Sequence, residues 1–113
     1  MGLLIGLIQR RQLCMEKSNL SFQLLLITKG LSVAHRSADS LTQVGTDYEG
    51  DPLMSKQLQE RQYKLKILEE KLAAQKAEIQ TRIEEINVEL QSVNDMIKSS
   101  VQEMFSYKVS SGN

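Results

Sequence analysis

Few side chains in this sequence could do chemistry. Glu84, Glu85 and Glu89 stand close enough along one stretch to offer carboxylate oxygens to a hard cation. A metal site in a helical bundle also needs a matching His or a second acidic helix, and neither accompanies them. Cys14 is the single cysteine, which excludes an intrachain disulfide and cannot make a zinc cluster alone. The lone His35 adds no ligand set, so both residues read as packing or surface side chains. Arg10-Arg11 is too small a basic patch for nucleic acid, the aromatic residues are not interleaved with bases, and the formal net charge is zero. Met1-Gly2 invites N-myristoylation, but Gly6 stands where Ser or Thr is expected. Met54, Met96 and Met104 fit core filler better than an adaptable contact surface. Tyr48 and Tyr63 could be exposed contacts. No catalytic, cofactor-binding or metal-binding residue is expected, and no cofactor.

The elements that hold these residues are helices. Asp51-Pro52 is a good helix start: the Asp51 carboxylate can accept from the first free N–H groups, and Pro52 fits the first helical position, where its missing N–H costs nothing. No further Pro or Gly appears until Gly112, and Glu, Gln, Lys, Leu and Ala fill the interior. Leu58, Leu65, Leu72, Ile79, Ile86 and Val93 recur every seven residues. With Ile83, Leu90, Ile97 and Met104 they make a coiled-coil seam, which predicts one long amphipathic helix over 52–107. Leu65, Leu68, Leu72, Lys76, Ile79 and Ile83 contain one extra four-residue step near Lys76, which predicts a stutter.

Upstream, Leu3, Leu4, Ile5, Leu7 and Ile8 are apolar nearly all round, which a helix tolerates only when buried in something larger. A helical pattern continues through Leu13, Leu20, Leu24, Ile27, Leu31 and Ala34, with Gly30 as a point where the helix could kink or end. The Leu24–Ile27 cluster could also be a buried strand, but no partner strand is evident. The expected N-terminal helix covers 1–41, residues 42–51 form an acidic, Gly-containing loop, and 108–113 form a flexible tail. A connection that short folds the helices back antiparallel. The expected fold is therefore all-α: an antiparallel two-helix hairpin with a long C-terminal coiled-coil helix, and oligomeric. The intramolecular seam is assigned to Leu20, Leu24, Ile27, Leu65, Leu72, Ile79 and Ile86.

Charge bears on register. Residues 1–36 carry the bases Arg10, Arg11, Lys17, Lys29 and Arg36 and one acid, Glu16; residues 77–95 carry the acids Glu78, Glu84, Glu85, Glu89 and Asp95 and one base, Arg82. A fold-back centred near residue 46 places Arg10 and Arg11 beside residues 81–85, and Met1 near residue 92. Exposed pairs are worth about 0–1 kcal/mol each, so they orient more than they stabilise.

The same register leaves residues 93–107 projecting. The oligomer interface is accordingly assigned to Leu3, Leu4, Ile5, Leu7, Ile8, Val93, Ile97, Val101, Met104 and Phe105, a joint apolar patch too large to leave in water. The function this implies is a non-enzymatic structural protein, a self-assembling hairpin subunit of a filament or extended helical bundle. The alternative is a small cytoplasmic adaptor or secretion-type chaperone that pairs its exposed seam with a client helix. A homo-oligomer is expected, with a helical protein client possible and no nucleic acid. Membrane contact is not expected: the projecting stretch carries only Lys98 and Lys108, and Arg10, Arg11, Glu16 and Lys17 interrupt the apolar N-terminal run. Positive charge follows that run instead of preceding it, so the expected location is the cytoplasm, or export without a cleaved signal peptide. The two-helix plan, with its Asp51-Pro52 turn and Ile97…Phe105 ending, is similar to that of secretion-needle and filament subunits. The likeness is architectural and transfers no residue.

Overall fold

The structure, a computed structural model, describes residues 2–111, with the backbone alone at Ser111. Two α-helices account for nearly all of them: α1, Gly2–Asp47, and α2, Pro52–Ser111. The fold is an all-α helical hairpin. It divides into two compact units, Met1–Phe22 with Thr81–Asn113 (unit 1) and Gln23–Gln80 (unit 2). In each, a stretch of α1 lies antiparallel to a stretch of α2.

The turn is tighter than the sequence predicts. α1 runs through residues 42–47, assigned above to a loop, and ends at Asp47. The Thr42 and Thr46 hydroxyls donate back to the Ala38 and Thr42 carbonyls at 3.0 and 3.2 Å, which satisfies them inside the helix. Only Tyr48–Asp51 remain to reverse the chain. Gly50 adopts φ 98°, a left-handed conformation that a Cβ would strain, and the Asp51 N–H donates to the Tyr48 carbonyl at 3.1 Å. The Asp51 Oδ1 accepts from the Leu53 and Met54 N–H groups at 3.2 and 3.3 Å. This is the cap expected of it, with Pro52 at the first helical position. α2 then continues past Tyr107 to Ser111, so residues 108–111 of the expected tail are helical. Met1, Gly112 and Asn113 lie outside the described residues.

In unit 2 the side of α2 turned to α1 carries Leu58, Leu65, Glu69, Leu72, Lys76 and Ile79, the first buried and the others half-buried. From Leu65 onward these positions alternate four and three. The stutter expected near Lys76 is therefore absent: Leu68, on which it rested, is exposed, and Glu69 takes the seam position. On α1 the matching positions are Leu24, Ile27, Leu31, Ala34, Ala38 and Leu41. α1 runs unbroken through Gly30, where a Cβ would make an ordinary 3.6 Å contact with the Leu72 Cδ1.

In unit 1 the facing residues are Leu3, Gly6, Leu13 and Leu20 on α1, and Ile83, Ile86, Leu90, Val93 and Ile97 on α2. Ile86 is fully buried at 0% exposure, and Ala34 and Leu58 are the other buried hydrophobic residues among those described. Gly6 is buried under the Ile97 and Met96 side chains. A Cβ on it would lie 2.7 Å from the Ile97 Cγ1 and 3.1 Å from the Met96 Cε.

These contacts correct the register. Gly2 lies by Ser100, Gly6 by Ile97 and Glu16 by Arg82 in unit 1; Gly30 lies by Leu72 and His35 by Glu69 in unit 2. The expected centre near residue 46 gives way to one near the Tyr48–Asp51 turn, because α1 is longer than expected. Each residue by which the centre moves shifts the facing partner by two. Val93 and Ile97 therefore belong to the intramolecular contact and not to a projecting segment, and Leu3 turns inward with them.

Candidate interaction surface

The charged centre of unit 1 is Arg82. Its Nε and Nη2 donate to the two Glu16 oxygens at 2.9 and 3.1 Å, a two-pronged bond between the helices. Its Nη1 donates to Glu85 and Glu89 on its own helix, both at 3.3 Å. The Arg82 guanidinium holds the Glu16 carboxyl below its ordinary range, chiefly through those hydrogen bonds, against a smaller opposing effect of desolvation. Glu16 in turn, with the two α2 carboxylates, raises the Arg82 pKa. Three carboxylates on one guanidinium leave the cluster with surplus negative charge. The expected pairing of Arg10 and Arg11 with residues 81–85 is absent: both arginines are exposed and make no ion pair among the described residues. The contact joins the one acid of the basic N-terminal stretch to the one base of the acidic stretch of α2.

Glu84, Glu85 and Glu89 build no metal site. No group of three or more metal-ligating side chains occurs among the described residues. Cys14 is exposed and free. The exposed His35 places its Nδ1 3.7 Å from a Glu69 oxygen in unit 2. No described helix is long and apolar enough to cross a membrane.

Apolar surface is what the hairpin presents. The assigned seam residues Leu20, Leu24, Ile27, Leu65, Leu72 and Ile79 are half-buried, and Ile86 is fully buried. Among the residues assigned to an oligomer interface, Leu4, Ile5, Leu7, Ile8, Val101, Met104 and Phe105 are exposed, Phe105 at 69%. Leu3, Val93 and Ile97 are half-buried in the intramolecular contact. Beyond Ser100, α2 of unit 1 has no described residue of α1 opposite it.

On the outer side of α1 in unit 1 the assigned Leu4 and Ile8 continue into a stripe through Met15 and Phe22, which the sequence analysis does not single out. Ile8, Met15 and Phe22 recur every seven residues and are exposed, Phe22 at 62%, with Leu4 one turn before Ile8. The spacing was available as a signal, but it repeats in step with Leu13 and Leu20 and is masked by them until the inner face is known. In unit 2, Leu25, Leu26 and Val33 are likewise exposed on α1.

Unit 2 also carries an open groove of about 750 Å³ along one side of the helix pair. Val33, Leu41, Val44, Leu65 and Leu68 form its floor, Arg36, Arg61 and Lys64 its rim, and Ser37 and Ser40 add two hydroxyls. No carboxylate lines it, and the three cations make no ion pair among the described residues.

No family model, no curated protein and no solved structure matches this chain.

Proposed function

We propose that this protein is a non-enzymatic structural subunit: an α-helical hairpin that associates with copies of itself, into a filament or an extended helical bundle, through the apolar surface of unit 1. The observation that carries this reading is the second apolar stripe. Ile8, Met15 and Phe22 stand at seven-residue spacing on the side of α1 that α2 leaves open, beside Leu4 and Ile5. A helix that spends one stripe on its hairpin partner and keeps another exposed is built for contacts on two sides. Val101, Met104 and Phe105 extend the apolar surface on α2.

Magnitudes favour an extended contact over a single anchor. A side chain of this size contributes about 1.5–3 kcal/mol when fully taken from water. Association costs at least about 4 kcal/mol in lost freedom. One residue cannot offset that; the stripe together can.

Sedimentation velocity over rising concentration tests the reading. The wild-type protein is expected to form larger species, visible as elongated particles by electron microscopy. Ile8→Ser/Phe22→Ser is expected to hold it at its smallest species with its helical content intact. A wild-type chain that stays one discrete small species at every concentration overturns self-assembly. A chain that is molten alone and becomes ordered with a co-expressed neighbour assigns the same stripe to a client helix, as in the adaptor reading.

A further inference from the structure

We infer that the basic groove of unit 2 seats the acidic face of α2 from a second copy, centred on Val88. The inference rests on the self-assembly reading and adds to the apolar stripe a second contact between copies.

The groove is open, so most of a small molecule lying in it would stay in water. Small-ligand sites bury most of their ligand. A helix needs only one face covered, and a trough between two packed helices accepts a third helix in the same way. Its apolar floor calls for an apolar knob. Its rim of Arg36, Arg61 and Lys64, with no lining carboxylate, calls for acids around that knob.

α2 of unit 1 presents that combination. Val88 is 67% exposed on α2, at the mouth of a shallow groove that also takes in Gln12, Leu13 and Glu16 of α1. Glu84 and Glu85 lie one turn before it and Glu89 beside it. Arg82 engages Glu85 and Glu89 but already holds Glu16, so it leaves their negative charge only partly offset. Glu84 makes no ion pair among the described residues. Glu84 to Glu89 spans about 7.5 Å along its helix and Arg61 to Lys64 about 4.5 Å, so the basic pair falls within the length of the acidic face.

Groove and acidic face are different patches of one chain. A contact between them is heterologous, and repeating it propagates an open array unless the rotation closes a ring.

Reciprocal charge reversal tests the contact by sedimentation equilibrium, with circular dichroism to confirm that each variant folds. Arg61→Glu/Lys64→Glu and Glu84→Lys/Val88→Lys are each expected to weaken self-association at least ten-fold. An equimolar mixture of the two is expected to recover pairwise association, because the unaltered groove of one variant still seats the unaltered acidic face of the other. Wild-type association that neither variant weakens overturns this contact and leaves the self-assembly reading standing. A wild-type chain that never associates sinks both. Reversals that leave sedimentation unchanged, but abolish binding of laurate measured by calorimetry, assign the groove to an anionic amphiphile and overturn the inference.

Discussion

Glu16 and Arg82 form an interhelical ion pair in unit 1, and their geometry gives it a pH signature. Arg82 holds the folded-state Glu16 carboxyl below its ordinary value of 4.5. A carboxyl whose pKa falls on folding stabilises the fold above its unfolded value and loses that contribution as pH falls through the folded one. Thermal stability of the wild-type protein is therefore expected to drop on acidification from about pH 5 to about pH 2 more steeply than that of Glu16→Gln. Parallel melting curves for the two proteins across that range would show that the pair does not couple to folding. The pair was partly legible. Glu16 and Arg82 are the single exceptions in stretches of opposite sign, and the majority charges around them do not reveal that the two exceptions meet. The sign of a stretch describes a long-range tendency, whereas a bidentate contact needs two side chains at one level, and that depends on register.

Glycines read alike in a sequence and differ at the level of the helix. Gly6 sits where the helices touch, so a methyl group there would meet Ile97. Gly45 has nothing within 4 Å of where its Cβ would lie. Replacing a mid-helix glycine by alanine is worth about 0.5–1 kcal/mol in favour of the helix, and overpacking costs about 1–3 kcal/mol. Gly45→Ala is therefore expected to stabilise by up to about 1 kcal/mol, and Gly6→Ala to lose up to about 2 kcal/mol net. Equal shifts in chemical denaturation would mean that the helices do not approach closely at Gly6. Ile86→Ala, at the fully buried position, is expected to cost about 2–5 kcal/mol, and a loss under about 0.5 kcal/mol would place Ile86 in solvent. The extent of α2 was legible in its seven-residue repeat and its Asp51-Pro52 start. The stutter was misread because Leu68 looks like a seam residue by type. Only the partner helix decides that Glu69, not Leu68, turns inward, and half-burial is tolerable for Glu69 because its carboxylate stays within reach of His35 and water.

For the chain as a whole, the hairpin was legible and its register was not. Thr42, Gly45 and Thr46 look like loop residues, yet α1 runs through them, and that extension brings Val93 and Ile97 under α1. What survives of the expected overhang is the end of α2, and the outer stripe of α1 adds to it. Ala34, Leu58 and Ile86 are the buried hydrophobic residues among those described, a small core against an entropy cost of about 1–2 kcal/mol per ordered residue. If the proposed self-association holds, the hairpin should draw part of its stability from it. Partners that bind only the folded chain stabilise it by about 2.7 kcal/mol when present at 100 times their dissociation constant. At about 3–5 °C per kcal/mol for a chain of this length, the melting temperature should rise by roughly 10 °C over a hundred-fold increase in protein concentration. Ile8→Ser/Phe22→Ser should flatten that dependence while lowering the melting temperature little at the dilute end, because both side chains are already in water in the lone hairpin. If calorimetry at graded concentrations finds one melting temperature for the wild type throughout, folding and assembly are separate events. The outer stripe would then contribute nothing to holding the helices together.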